Sequence, residues 1–360
     1  MGIINIYDKS LFYIGGVVRD SILGINSFDI DITYVGNAID YCKKFGEVIQ
    51  ENPDFGTVRV NVDGKIIDFA STRSETYDKK GHLPRITQIG CSLKEDVLRR
   101  DFTINALAMN TESSEIIDYV GGLSDIRNKL IRVLHNESFI DDPTRIIRAL
   151  KFRVRFGFDL ENNTKKLQND YISNINYDMS YKRVKKELME TFNLNSQKAF
   201  ELFVKEGIYK LVSSENFELP DENIEELIKK YPVENTWLVY VGLLTDLSNL
   251  ELTKQEKKII DDFKNLGFYK SDFEIYKAFN DVATESILMY AIMRDKSAAE
   301  KYLNKLSKIK LEITGDDLCN LGLKPSPMYQ KIFDDVLRVK IANPSMTKED
   351  EINIVKSLEY

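Results

Sequence analysis

The chain has 360 residues, 43% of them apolar, and a formal charge of −7, enough length for two or more domains of an ordinary globular protein. No stretch approaches the roughly 18 consecutive apolar residues of a membrane span, and the N-terminus lacks a signal pattern. Three scattered cysteines and two histidines argue against a disulfide framework, a structural zinc site and a histidine-based relay, and they fit a reducing cytoplasm.

In chain order, LFYIGG is an apolar run ending in a glycine pair, as expected of a strand entering a tight turn. VVRDSIL then reads as a short helix ending at Gly24, and FDIDITYV, residues 28–35, as a strand. NAIDYCKKFGEVI has helical spacing. TVRVNVDGKIIDFAST alternates on both sides of Asp63-Gly64, a strong two-residue hairpin signal. These elements predict an α/β unit on a small antiparallel or mixed sheet. From about residue 95 the pattern turns helical, through LKEDVLRRDFTINALAM, SDIRNKLIRVL and PTRIIRALKFRVRFG. Beyond residue 160 nearly everything fits helices of ordinary length. The expected class is α+β, with an N-terminal domain over residues 1–135, connecting neck helices over 136–200 and an all-helical body over 201–360.

The acidic balance alone does not suggest a nucleic-acid binder. Residues 1–190, however, carry 27 Lys and Arg against 28 Asp and Glu, so local clusters decide. Asp29 and Asp31, at i and i+2 of a strand, share a face where two carboxylates repel. Mg²⁺ takes one or two carboxylates together with phosphate oxygens, so a cation pair shared with a polyphosphate would relieve that repulsion. Just upstream, Gly15 and Gly16 allow close backbone approach to phosphate, and Arg19 adds a cation on the following helix. Asp68, in KIIDFAST, is a candidate third acid if its strand lies beside Asp31. A polar edge strand and a simple turn are the plain reading of the same residues.

Two further clusters carry chemistry. In RRDFTINAL, residues 99–107, Arg100 offers donors to phosphate and Asp101 an acceptor to ribose hydroxyls; a self-neutralising helix start would look alike. In DDPTRIIRALKF, Pro143 opens a helix that carries Asp142, Arg145, Arg148 and Lys151. A carboxylate accepts from an exocyclic amine while a guanidinium donates to a ring nitrogen. Such a pair matches the Watson–Crick edges of A and C and mismatches G and U. An N-capped amphipathic helix with a basic face is the plain alternative.

GGVVRDSILGINSFDID, RRDFTINAL and DDPTRIIRALKF, in this order and spacing, resemble the class II tRNA nucleotidyltransferases, which with bacterial poly(A) polymerases form a branch of the polymerase-β-like nucleotidyltransferases. The resemblance covers about residues 11–190. It implies that Gly15, Gly16 and Arg19 serve the triphosphate, Asp29 and Asp31 bind Mg²⁺, and Arg100 and Asp101 meet sugar and phosphates. Asp142 and Arg145 become base readers, with Arg148 and then Lys151, where relatives carry arginine, supporting the nucleotide. SETYDKKGHLPRI, residues 74–86, falls where the family has a flexible loop that helps complete CCA-adding enzymes switch from CTP to ATP. SYKRVKKEL resembles a neck-supporting helix, with Lys182 where Glu is usual before Arg183. The implied activity is Mg²⁺-dependent addition of CCA to tRNA 3′ ends from CTP and ATP. The alternatives are addition of the terminal adenosine only, a poly(A) polymerase, or an RNA- or nucleotide-binding module without catalysis.

Overall fold

The computed structural model describes residues 6–26 and 30–358. The chain divides into two compact units, one running up to Phe217 together with Asp246–Glu251, the other comprising Glu218–Thr245 and Leu252–Tyr360. Among the described residues no helix is long and apolar enough to cross a membrane.

The first unit begins with β1 (Leu11–Ile14), α1 (Gly16–Ile22), β2 (Asp31–Tyr34) and α2 (Ala38–Cys42). Next come β3 (Glu47–Asn52), β4 (Thr57–Val62), β5 (Lys65–Ser71), β6 (Arg73–Thr76) and β7 (Arg85–Ile89). Then follow α3 (Leu93–Leu98), β8 (Leu107–Asn110), β9 (Ile116–Asp118), α4 (Gly122–Asn128) and β10 (Leu130–Ile131). Seven strands form one mixed sheet in the order β3-β4-β5-β2-β1-β8-β9, in which only the β2–β5 pairing is parallel. The expected mixed sheet is present, and it is wider than a small one.

Strand alternation sets its two faces. Val58, Val60, Val62, Ile67, Phe69 and Ile32 are buried with Ile39 and Cys42 of α2 in one core. The intervening Arg59, Asp68 and Asp31 belong to the opposite, polar face. Between β4 and β5 the turn residues Asp63 and Gly64 have φ of 51° and 81°, the doubly positive pattern of a type I′ turn that matches hairpin twist.

Several stretches depart from their helical or loop expectation; in SDIRNKLIRVL the helix ends at Asn128 and Leu130–Ile131 pairs as a strand with Asp159–Leu160. NAIDYCKKFGEVI stops being helical before Gly46, and GEVI enters β3. A Cβ at Gly46 would lie 2.1 Å from the Asn61 carbonyl oxygen, so this glycine lets β3 dock against β4. Leu107-Ala108-Met109 is claimed by the ladder with β1 instead of extending a helix. Residues 74–86 are not a plain loop, because β6 and β7 pair as a two-stranded ribbon around the 77–84 segment.

The unit continues with α5 (Ser138–Asp141), α6 (Thr144–Phe156), β11 (Asp159–Leu160), α7 (Asn162–Ser173), α8 (Tyr181–Phe192) and α9 (Gln197–Lys205). Pro143, with φ −61°, opens α6, where its fixed angle suits a helix start and its missing N–H is no loss. The second unit is helical, from α10 (Ile224–Lys230) to α18 (Lys348–Ser357). Its interior is filled by Trp237, Tyr240, Phe279 and Tyr290. Ser271, Thr314 and Thr347 each close a capping box with an acid three residues on, which marks these helix starts in the sequence itself.

Candidate functional site

Within the first unit lies a cavity of about 310 Å³ lined by six arginines, Arg73, Arg99, Arg100, Arg145, Arg148 and Arg183, against four carboxylates, Glu75, Asp101, Asp142 and Glu187. Phe55, Tyr77, Leu83 and Pro84 complete the wall. The excess of guanidinium makes it an anion-favouring pocket with acceptors placed among the donors. The cavity unites Arg100, Asp101, Asp142, Arg145 and Arg148 of the expected site residues.

Asp142 and Arg145 stand at the start of α6, each only 4% exposed. Asp142 Oδ1 accepts from the Thr144 amide at 3.2 Å and its hydroxyl at 2.6 Å, while Oδ2 accepts from Arg183 on α8. Arg145 donates to Ser138 Oγ at 2.6 Å, Tyr77 Oη at 3.1 Å and the Arg99 carbonyl at 3.3 Å. Carboxylate and guanidinium are thus both held in fixed orientations, as a pair must be if its donor and acceptor pattern is to discriminate. The Lys182 substitution leaves the neighbouring Arg183 fully employed, since it also donates to the His82 carbonyl at 3.3 Å.

One turn further on, Arg148 donates through Nε to Asp101 at 2.9 Å and through Nη1 to Glu187 at 2.9 Å. Burial alone would raise the Asp101 pKa. The Arg148 charge and a hydrogen bond from Asn105 outweigh it and hold the carboxyl at about 2. Arg148 is shifted the other way: burial opposes its charge, and Asp101 and Glu187 together more than restore it. Lys151 does not line the cavity. Its ammonium pairs with Glu187 at 2.8 Å and Glu190 at 2.6 Å, so here it fixes the carboxylate that fixes Arg148.

The opposite wall is built on Asp96, fully buried in α3. It accepts from Arg99 Nη2 at 2.8 Å, Arg100 Nη2 at 3.0 Å and the Arg73 amide at 3.1 Å. Burial pushes its pKa up, and the adjoining charges of Arg100 and Arg99 bring it below the ordinary value. Arg100 Nε is buried with no hydrogen-bond partner among the described residues. The spacing of Asp96, Arg99 and Arg100 at i, i+3 and i+4 was a local signal for this cluster. Arg73, Glu75 and Tyr77 had none, because the ribbon that carries them is set by long-range pairing.

The turn between β1 and α1 adjoins this wall. Gly15 has φ +70°, and a Cβ there would sit 3.1 Å from Arg100 Nη1, so the position requires glycine. Gly16 opens α1 directly after it. Arg19, expected at the triphosphate, is 4% exposed and turned inward. It is bonded to Asp20 and Asn105 and set over the Phe156 ring at 4.5 Å. It ties α1 to α6.

Asp31 and Asp68 are direct neighbours across the parallel β2–β5 pair, on the polar face. Asp29 lies outside the described residues. Among the described residues no group of three or more His, Cys, Asp or Glu side chains forms a metal cluster. Two adjacent carboxylates nonetheless fit Mg²⁺, which completes its octahedron with phosphate oxygens and water.

The 77–84 segment is tied to the neck. Gly81 donates its N–H to the Asp141 carbonyl at 3.0 Å and accepts from the Ser180 amide at 3.0 Å. Lys80 pairs with Asp141, and His82 with Asp178 at 3.0 Å.

Residues 11–132 match the poly A polymerase head domain family. The A-adding tRNA nucleotidyltransferase of Aquifex aeolicus is 30% identical over 89% of this chain, which spans 44% of that protein's length. The CCA-adding enzyme of Staphylococcus epidermidis is 29% identical, covering 95% of this chain and 92% of its own. A solved CCA-adding enzyme, in an apo form, superposes with a TM-score of 0.81 at 26% identity, over 97% of this chain and 92% of that one. In sequence and in fold the chain is similar to these A-adding and CCA-adding tRNA nucleotidyltransferases. The matched head contains Gly15, Gly16, Arg19, Asp31, Asp68, Arg100 and Asp101. Asp142, Arg145, Arg148 and Lys151 lie beyond it, on the helix that follows.

Proposed function

We propose that this chain adds CCA to the 3′ ends of tRNA, taking CTP and ATP as substrates and Mg²⁺ as its metal. The observation that supports it most is the meeting of Asp142 and Arg145 with Arg100, Asp101 and Arg148 around one cavity. Asp142 would accept from the exocyclic amine of C or A while Arg145 donates to the adjacent ring nitrogen. Guanine and uracil present a carbonyl where the amine should be, and an acceptor facing a carboxylate is repelled. Arg148 and Arg100 would orient sugar and phosphate oxygens, and Asp101 would accept from a ribose hydroxyl. A divalent ion held by Asp29, Asp31 and Asp68 would activate the attacking 3′ hydroxyl and offset charge on the departing pyrophosphate. The rest of catalysis is positioning by groups already fixed. The unpaired Cys42, Cys91 and Cys319 fit a cytoplasmic enzyme.

A second reading, addition of the terminal adenosine alone, is favoured by the name of the Aquifex relative. Purified protein, Mg²⁺ and labelled CTP or ATP, with tRNA transcripts ending before CCA, after C and after CC, separate the two. Completion of all three supports CCA addition. Extension of only the CC-ended transcript, by one A, supports the second reading. Long A tails would make it a poly(A) polymerase, and no incorporation would leave a binding module.

A further inference from the structure

The hairpin and the parallel pairing place three charged residues in a row. Arg59 on β4 stands across from Asp68 on β5, and Asp68 stands across from Asp31 on β2. The Arg59 fork closes on the carboxylate, Nε to Oδ1 at 2.7 Å and Nη2 to Oδ2 at 2.9 Å. Both oxygens that a cation would use are therefore engaged by a guanidinium, whose planar geometry matches a carboxylate in two parallel hydrogen bonds. Beside the pair is a polar hollow of about 140 Å³ bordered by Gln50, Asn52 and Thr57.

We propose that Arg59 is a positioning residue that caps Asp68 in the metal-free protein and releases it when Asp68 ligates a divalent cation. This rests on the reading of Asp68 as a metal-site carboxylate. A guanidinium and a divalent ion repel, and the fork takes the lone pairs that face it on both oxygens, so a cation gains Asp68 most fully when the guanidinium swings away. The side chains of Arg59 and Asp68 are 44% and 45% exposed. The pair is thus of the weak, solvent-screened kind that a divalent ion displaces, a gate and not a block. Capping keeps Asp68 beside Asp31 without bare carboxylate repulsion, and it lowers the affinity of the bare site for a cation. A cation arriving with a triphosphate is less affected, because the released guanidinium then has an anion at hand.

Mn²⁺ binding to the full chain without nucleotide, read by the loss of the free-ion electron paramagnetic resonance signal, tests this. Arg59→Gln binds Mn²⁺ about 3- to 10-fold more tightly than the unaltered chain. Arg59→Lys falls between, since an ammonium keeps the charge without the fork. Adding Asp68→Asn to Arg59→Gln cancels the gain. If Asp31→Asn and Asp68→Asn weaken Mn²⁺ binding but Arg59→Gln leaves it unchanged or weaker, the capping role is overturned while the metal reading stands. If neither Asp variant alters Mn²⁺ binding, the metal reading itself falls, and the cap with it.

Discussion

Glu187 on α8 accepts from Arg148 with one carboxylate oxygen and from Lys151 with the other, at 2.9 and 2.8 Å. One acid thereby aligns two successive cations of α6 from the facing helix. Truncating it leaves Arg148 with Asp101 and Lys151 with Glu190, each short of one charged partner, at a cost of about 1–3 kcal/mol. Glu187→Ala is expected to lower stability by roughly that amount in urea denaturation and to weaken nucleotide binding, whereas Lys151→Ala has a smaller effect on binding because Arg148 keeps both Asp101 and Glu187.

Asp101 gives a pH signature. Its folded value of about 2 lies below the ordinary 3.8, so its contribution is fully present above the ordinary value and lost as pH falls through the folded one. The shift corresponds to roughly 2 kcal/mol. Asp101→Asn should be less stable by about that amount near neutrality. The gap should narrow below 3.8 and close near pH 2, as followed by denaturation at a series of pH values.

Base discrimination should depend on Asp142 and Arg145 more than nucleotide binding does. A bidentate contact of this sort distinguishes bases by about 1–3 kcal/mol. Asp142→Ala and Arg145→Ala should each raise GTP and UTP incorporation relative to ATP and CTP by roughly tenfold or more, measured as ratios of kcat/KM. Equal discrimination in the variants would place base reading elsewhere.

Asp31→Ala should abolish incorporation and leave RNA binding nearly intact. Filter binding and primer extension on one preparation separate the two quantities. Residual activity within tenfold of the unaltered chain would contradict the role given to this carboxylate.

Gly81 has φ +78°, and a Cβ there would lie 2.8 Å from the Asp178 carbonyl oxygen. Gly81→Ala therefore strains the backbone, at a cost of order 1–3 kcal/mol, and pushes the 77–84 segment off the neck. Amide exchange at Gly81 and Ser180 should quicken in this variant while exchange in β4 and β5 stays unchanged.

Local chemistry made part of this molecule legible. Asp63-Gly64 announces its turn, Pro143 announces α6, and the spacing of Asp142, Arg145 and Arg148 on that helix brings all three to one cavity. What local pattern could not reveal depends on partners distant in the chain. GEVI and LeuAlaMet become strands because β4 and β1 offer ladders to them. Arg19 looks like a phosphate ligand beside its glycines, yet Asn105 and Phe156, far away in sequence, turn it inward. The wall formed by Arg73, Glu75 and Tyr77 exists only once the ribbon has paired.

The single parallel pairing in the sheet has a consequence for synthesis. Antiparallel neighbours can zip from a turn, but β2 meets β5 only after β3 and β4 have been made and laid outside it. Until Ser71 has left the ribosome, β2 offers a bare edge to any other strand nearby. A chain stalled or cut within residues 35–67 would thus carry Asp31 without Asp68 and a sticky strand with it. Such fragments should collect in the insoluble fraction, while ones ending past the neck should not.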